Sequence, residues 1–394
     1  MAITESAAFA GESLFADIEH YCTHDCHRTG TPGNRATADW LASGLAALGY
    51  TVSRAAFTAP CFALGQTHVR LEDRIVSGIP LWPPRGAVIE GIPGRSIALA
   101  RLPFHPGGAY REDLHGPALR AAFAPGIDAV VALTEGPTGE AIALNMPADQ
   151  PDWPVPVLLL GGDAAAPLEA AAARGDTVCL RIEAEPDPEA RPENVIGRRG
   201  SGPAVIVTTP CSGWFRCGGE RGPGVALWRA LAAWAAARQD GFEWIFAANS
   251  GHELENAGAA ALHRLLPPPE GTRLWLHLGA GIATRLWSDD RPARALHGPD
   301  PKRFMVASSR VLPVLTEAFA GQPGLATPHP AETAPSAGEL TAILARGYDP
   351  AIGIFAGHRY HHTASDDAGK TAPELLEPVA RSLATALETI LGDK

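Results

Sequence analysis

Residues 250–253 read Ser-Gly-His-Glu, and they are followed by Leu254, Glu255 and Asn256. The run sets an imidazole and a carboxylate side by side, the two groups most used to move protons near neutral pH. An apolar strand, Trp244-Ile245-Phe246-Ala247, precedes it, and an Ala/Leu-rich helix is expected over 255–265. His252 and Glu253 therefore fall where a strand hands over to a helix, the place at which open α/β sheets collect ligands. The run is not a zincin helix, because His-Glu-x-x-His would need histidine where Asn256 stands.

Other chemistry-bearing groups lie near strand ends. Glu220-Arg221 opens Gly222-Pro223-Gly224 and an apolar helix over 223–238, and reads as either a salt bridge or a ligand position. Cys211, Ser212 and Trp214 follow the buried strand 204–208 in a Gly-rich stretch that would line a pocket. Cys211 or Ser212 would act as nucleophile only with a base beside it. His361 and His362 sit in a polar loop after strand 351–355, with Asp366 and Asp367 placed to orient His362. Glu339, in a Pro-Ser-Ala-Gly loop, is a candidate substrate contact. The run Cys22-Thr23-His24-Asp25-Cys26-His27 looks metal-like, but no second Cys/His cluster completes four ligands, and it reads as structural.

These groups need a scaffold, and strands alternating with helices after residue 186 argue for a mainly parallel sheet covered by helices on both faces. Residues 12–28 look helical. Asn34 is placed to cap a further helix carrying Ala38, Leu41, Leu45 and Leu48. Between 63 and 185 the texture changes to frequent Pro and Gly with short strands at 96–100, 129–133, 155–160 and 177–182, and a helix over 164–174. The expected division is one α/β domain from 1–62 and 186–394, interrupted by a β-rich module at 63–185. Helices are also expected at 309–319, 337–346 and 373–391.

With 394 residues, 46% apolar and 19% charged, the chain has the composition of a globular protein with a large core. A net charge of −11 without a Lys/Arg cluster argues against a nucleic-acid partner. No apolar run is long enough to span a bilayer, and the first residues lack a signal-peptide pattern. Six irregularly spaced cysteines fit reduced thiols, so a cytoplasmic protein is expected.

The order of motifs resembles the M28 family of zinc aminopeptidases, in the form carrying a protease-associated insert. His27-Arg28-Thr29-Gly30-Thr31-Pro32-Gly33-Asn34, with Leu48-Gly49-Tyr50 after the helix, is similar to that family's opening. Val155-Pro156-Val157 and the helix before Gly175-Asp176 resemble the insert, and Asn194-Val195-Ile196 the return to the catalytic domain. Ser250-Gly251-His252-Glu253 matches the family's Ser-Gly-Glu-Glu, and His361-His362-Thr363-Ala364-Ser365-Asp366 its closing His-Thr-Pro-x-Asp loop.

The resemblance implies an amide-bond hydrolase whose relatives hold two zinc ions, and it also shows where the pattern breaks. The His-x-Asp segment of the first metal reads Pro210-Cys211-Ser212, and the fourth ligand position falls near Gly279. What the resemblance leaves is Glu220 at the bridging position with Glu253 and His362, a trio for one zinc ion, a pattern similar to glutaminyl cyclases. His252 would replace the general base. Arg221, Arg216 or the N–H groups of 217–222 would receive an oxyanion or an anionic group, with His361 alongside. Two alternatives stay open: metal-free lyase, isomerase or cyclase chemistry on His252 and His362, and a non-catalytic protein binding a ligand in the old cleft. The expected partner is a small amino-acid derivative or short peptide, with the insert either capping the pocket or building a homo-oligomer contact.

Overall fold

The computed structural model describes residues 5–392. An eight-stranded sheet runs in the order Thr51–Ala56, Glu193–Gly200, Glu243–Asn249, Ala204–Pro210, Thr272–Leu278, Ala351–Phe355, Phe304–Ala307 and His329–Pro330. Its four central strands, from Glu243–Asn249 to Ala351–Phe355, are parallel. Glu193–Gly200 and Phe304–Ala307 flank this block through antiparallel pairings, Thr51–Ala56 adds antiparallel at one edge, and His329–Pro330 adds in parallel at the other.

Both faces of the sheet are covered, which is why its strands read as continuous apolar runs rather than alternating ones. Val205, Val207, Phe246, Leu274 and Leu276 pack with the helices Gly11–Tyr21, Pro32–Ala47, Gly222–Ala236 and Pro373–Gly392. Ile206, Ile245, Ala247 and Trp275 point to the other side, against Leu262, Leu340 and Ile343. Each fully buried aliphatic of this kind contributes roughly 1.5–3 kcal/mol. Leu383→Ala on the terminal helix, where the leucine is 1% exposed, should therefore cost about 2–5 kcal/mol.

Residues 62–186 build two further four-stranded sheets, and the segment enters and leaves on paired strands, Phe62 opposite Pro186. One sheet is antiparallel and includes the ten-residue strand Phe62–Leu71, longer than the short strands expected there. The other carries a parallel core of Ile97–Leu102, Ala129–Thr134 and Val157–Gly161. A helix at Gly116–Ala122 and the hairpin strands Arg285–Trp287 and Ala295–Pro299 carry too little periodicity to be anticipated.

Three local expectations need correction. The helix after Glu253 is only Ala257–Leu262, because Glu255 and Asn256 take left-handed backbone conformations that an α-helix cannot contain. The first helix ends at Tyr21 rather than 28. Thr31, not Asn34, caps Pro32–Ala47, accepting from the Asn34 N–H at 3.3 Å with Pro32 in the first turn. Asn34 is buried instead and reaches Ser250, donating to its Oγ at 3.0 Å.

Candidate active site

That Asn34 contact is one of several that tie the N-terminal turn to the loop after strand Glu243–Asn249. Thr29 Oγ1 accepts from the Gly251 N–H at 2.7 Å, while from strand Glu193–Gly200 the Asn194 Oδ1 accepts from the Ser250 N–H at 3.1 Å. These bonds set the direction of Glu253. Its carboxylate is filled on both oxygens, by the Thr29 N–H at 2.7 Å, the Thr29 hydroxyl at 3.0 Å and the Ser212 hydroxyl at 2.6 Å. Glu253 is 1% exposed, so these donors take the place of water.

Glu220 takes a different partner. It is fully buried where the chain turns into helix Gly222–Ala236, and Arg221 Nη2 lies 2.7 Å from its Oε1. Arg221 is itself 1% exposed and donates from Nε to the Ser212 carbonyl at 3.1 Å. His362 Nε2 lies 3.2 Å from the same Glu220 oxygen. Burial alone would raise the Glu220 pKa, but its neighbours, Arg221 first among them, outweigh it and hold the carboxyl well below its usual range. The expected trio is therefore not assembled. Glu220 and His362 meet, while Glu253 is turned toward Thr29 and Ser212.

His362 has a fixed orientation. Its Nδ1 lies 2.9 Å from the Ala143 carbonyl, which can only accept, so Nδ1 carries a proton and Nε2 faces Glu220. This partner comes from the 62–186 segment. Asp366 serves another purpose, accepting from the Gly219 and Glu220 N–H groups at 2.7 and 3.0 Å and so shaping the turn before Glu220. His362 has φ +59°, an uncommon conformation for a non-glycine residue. Gly108 approaches it so closely that a Cβ there would lie 2.2 Å from Nδ1. Met146 N–H donates to the Glu253 carbonyl at 3.0 Å, and Trp214 Nε1 donates to Asn145 Oδ1 at 2.8 Å. Residues 108–146 thus press directly onto this cluster.

His361 stacks on His362 with ring centroids 4.2 Å apart. Burial, and after it the neighbouring His362, push its pKa well below 6.5, so the ring is neutral. His252 is the most accessible of these groups, with 17% of its side chain exposed. Its pKa is lowered by burial and then by the Arg221 charge, against the opposing pull of Glu339. Glu339 Oε1 lies 3.6 Å from His252 Nδ1 and accepts from Asn249 Nδ2 at 2.8 Å. Burial would raise the Glu339 pKa, but His252, His277 and Asn249 bring it down to about 2. Cys211 is buried and its thiol is pushed up to about 12, so it is not poised as a nucleophile. The Ser212 hydroxyl is committed to Glu253, and Arg216 pairs with Asp25 on the surface.

Sequence reasoning passed over His277, whose Nδ1 lies 3.9 Å from Glu339 Oε2 and whose signal was its place at the carboxyl end of a central strand. It also passed over Thr29 and Ala143, which act through a backbone N–H, a hydroxyl and a carbonyl that local spacing does not mark.

No family model matches the sequence, and no curated protein matches it either. Solved structures do match. A peptidase M28 precursor from Shewanella amazonensis SB2B superposes with TM-score 0.72 at 16% identity, covering 98% of this chain and 96% of its own. A zinc aminopeptidase from Bacillus subtilis gives 0.71 at 14% identity, covering 97% and 95%. An aminopeptidase from Aneurinibacillus sp. strain AM-1 gives 0.64 at 16%, covering 96% and 93%. The fold is that of the M28 zinc aminopeptidases.

That M28-like fold raises the question of metal, and the residues present do not fit a two-zinc centre. Among the described residues, Glu220, His361 and His362 hold donor atoms within 4.8 Å of one another, as do Cys217, Glu220 and Asp366. The only carboxylate in the first group already pairs with a guanidinium, which stays charged at any pH a protein survives, although neither Glu220 oxygen and neither Arg221 Nη makes a directed hydrogen bond. In the second group, Asp366 is taken by two N–H donors, and burial pushes the Cys217 thiol well above its usual value. A divalent ion on Glu220 would share that carboxylate with a buried permanent cation. An ion held by Glu220, His361 and His362 would have to compete with Arg221 for that carboxylate. Among the described residues no helix is long and apolar enough to cross a membrane.

Proposed function

We propose that this protein is an acid–base enzyme of the amide-processing class that works without a resident metal, with the Arg221 guanidinium as the fixed positive charge of the site. One observation carries the reading: Arg221 Nη2 lies 2.7 Å from Glu220 Oε1 inside a fully buried pair, at the position where the fold's relatives would be expected to bridge metals. His252 is the proton-transfer group. It is the most exposed group of the cluster, and burial, followed by the nearby Arg221 charge, keeps it unprotonated and able to accept a proton. Glu339 is the positioning residue behind it, held in turn by Asn249.

On an amide, a water molecule would attack the carbonyl carbon while His252 takes its proton. The C–N bond would then break as His252 returns that proton to the departing nitrogen, giving a carboxylic acid and an amine. The field of Arg221 favours the negative charge that develops on oxygen. The substrate is a small amino-acid-derived amide or short peptide.

The test is an amide-substrate panel run on the full chain with and without chelator. The reading expects turnover that chelator leaves unchanged and that His252→Ala abolishes. Turnover lost to chelator and restored by zinc would overturn it.

A further inference from the structure

A second buried arginine has no carboxylate at all. Arg28 is 5% exposed, donates from Nη2 to the Phe62 carbonyl at 2.8 Å, and stacks over the Trp82 ring with its guanidinium carbon 4.9 Å from the centroid. Its Nη1 has no hydrogen-bond partner, and it makes no ion pair among the described residues. A guanidinium taken out of water without an anion costs several kcal/mol. Such a charge is retained at that cost where an outside anion is meant to complete it.

Arg28 lines a cavity of about 730 Å³ between the N-terminal turn and the first strands of the inserted segment. That volume is in the range of small-molecule sites. The walls are mostly apolar, with Phe62, Leu64, Ile79, Trp214 and Phe215 among them. Two acids also border it, and both are engaged: Asp25 accepts from Arg216 Nε at 2.8 Å, and Asp187 accepts from the Glu189 and Ala190 N–H groups at 3.1 Å. One free positive charge beside two acids suits a monoanion and disfavours a phosphate dianion.

We infer that the cavity beside Arg28 binds a small molecule that joins a single carboxylate to an apolar or aromatic body. The carboxylate is drawn to the unpaired guanidinium, and the body lies against Trp214, Phe215 and Phe62. The neighbouring Thr29 holds Glu253 from the other side of the same turn, so the cavity backs onto the candidate active site, with Trp214 bordering both. The inference does not depend on the metal question.

The test is calorimetric titration of the full chain with 3-phenylpropionate and with its uncharged amide, 3-phenylpropionamide. N-acetylphenylalanylglycine is titrated in parallel, and the tighter of the two acids tells whether a free acid or a peptide terminus is the better source of the carboxylate. One site is expected, with the acid bound at least about tenfold more tightly than the amide. Arg28→Gln should erase that preference. Ala63→Trp fills the cavity from an exposed strand position with Arg28 intact, so it should abolish binding in a chain whose fold is unchanged. The inference is overturned if neither acid binds saturably, if the amide binds as well as the acid, or if Ala63→Trp leaves binding intact.

Discussion

Arg221 and Arg28 are both buried, and they differ in what answers their charge. Arg221 meets Glu220 at 2.7 Å at the start of helix Gly222–Ala236, whereas Arg28 meets a carbonyl and an indole face at the edge of a cavity. A buried cation with its own carboxylate closes a site and takes that carboxylate away from any other cation. One without a carboxylate leaves a place for an anion from outside. The same side chain therefore argues against a metal ion at one place and for an anion from outside at the other.

Removing each arginine in turn is the sharpest way to break this contrast. Arg221→Met strands Glu220 as a buried unpaired charge and should cost about 3–5 kcal/mol in urea denaturation. Replacing both partners, Glu220→Leu with Arg221→Met, should recover most of that loss, since a buried pair is often no better than an apolar isostere. Should Arg221→Met prove as mild as a surface change, the pair is not the structural element argued here.

On any amide the protein turns over, His252→Ala should lower the rate by about 10²–10⁴-fold, while Glu339→Gln should shift the pH–rate profile more than its plateau. An unchanged profile in Glu339→Gln would remove the positioning role.

Acid should act on the core around both sites in a defined window. His27 and His277 are buried, and that burial lowers their pKa from 6.5 to about 3 and about 4. The unfolded chain then binds protons more readily than the folded one, so stability falls as pH drops below 6.5 and keeps falling to about 3. Glu339, with its pKa at about 2 against the usual 4.5, contributes stability that is whole above 4.5 and fades between 4.5 and about 2. Denaturation midpoints flat from pH 7 to 4 would contradict this.

Smaller effects sharpen the comparison. Ser212→Ala removes a 2.6 Å hydrogen bond to buried Glu253 and should cost about 1–3 kcal/mol. Arg28→Met should cost less than about 1 kcal/mol, or stabilise, because it removes an uncompensated charge and keeps an apolar stem against Trp82. A loss as large as that of Arg221→Met would mean that Arg28 has an internal partner.

How much of this is legible in the sequence follows from the range of each interaction. The apolar runs of the central strands and the turn after them are local, so the sheet and the placement of His252 and Glu253 at a strand end are readable. The direction of Glu253 is not, because Thr29 and Ser212, which turn it, lie far away along the chain. Glu220 and Arg221 are adjacent, and adjacency leaves both readings open. Only the packing of helix Gly222–Ala236 brings the two side chains together. The contact between Ala143 and His362 depends on how an inserted segment folds back, which no periodicity encodes.

The central claim is that Arg221 stands where a metal would otherwise be held, and elemental analysis tests it most directly. The native chain and an Arg221→Ser variant are produced in zinc-supplemented medium without chelator and compared. The account predicts less than about a tenth of an equivalent of zinc in the native chain, and close to one in the variant, held by Glu220, His361 and His362. A full equivalent of tightly held zinc in the native chain would contradict it.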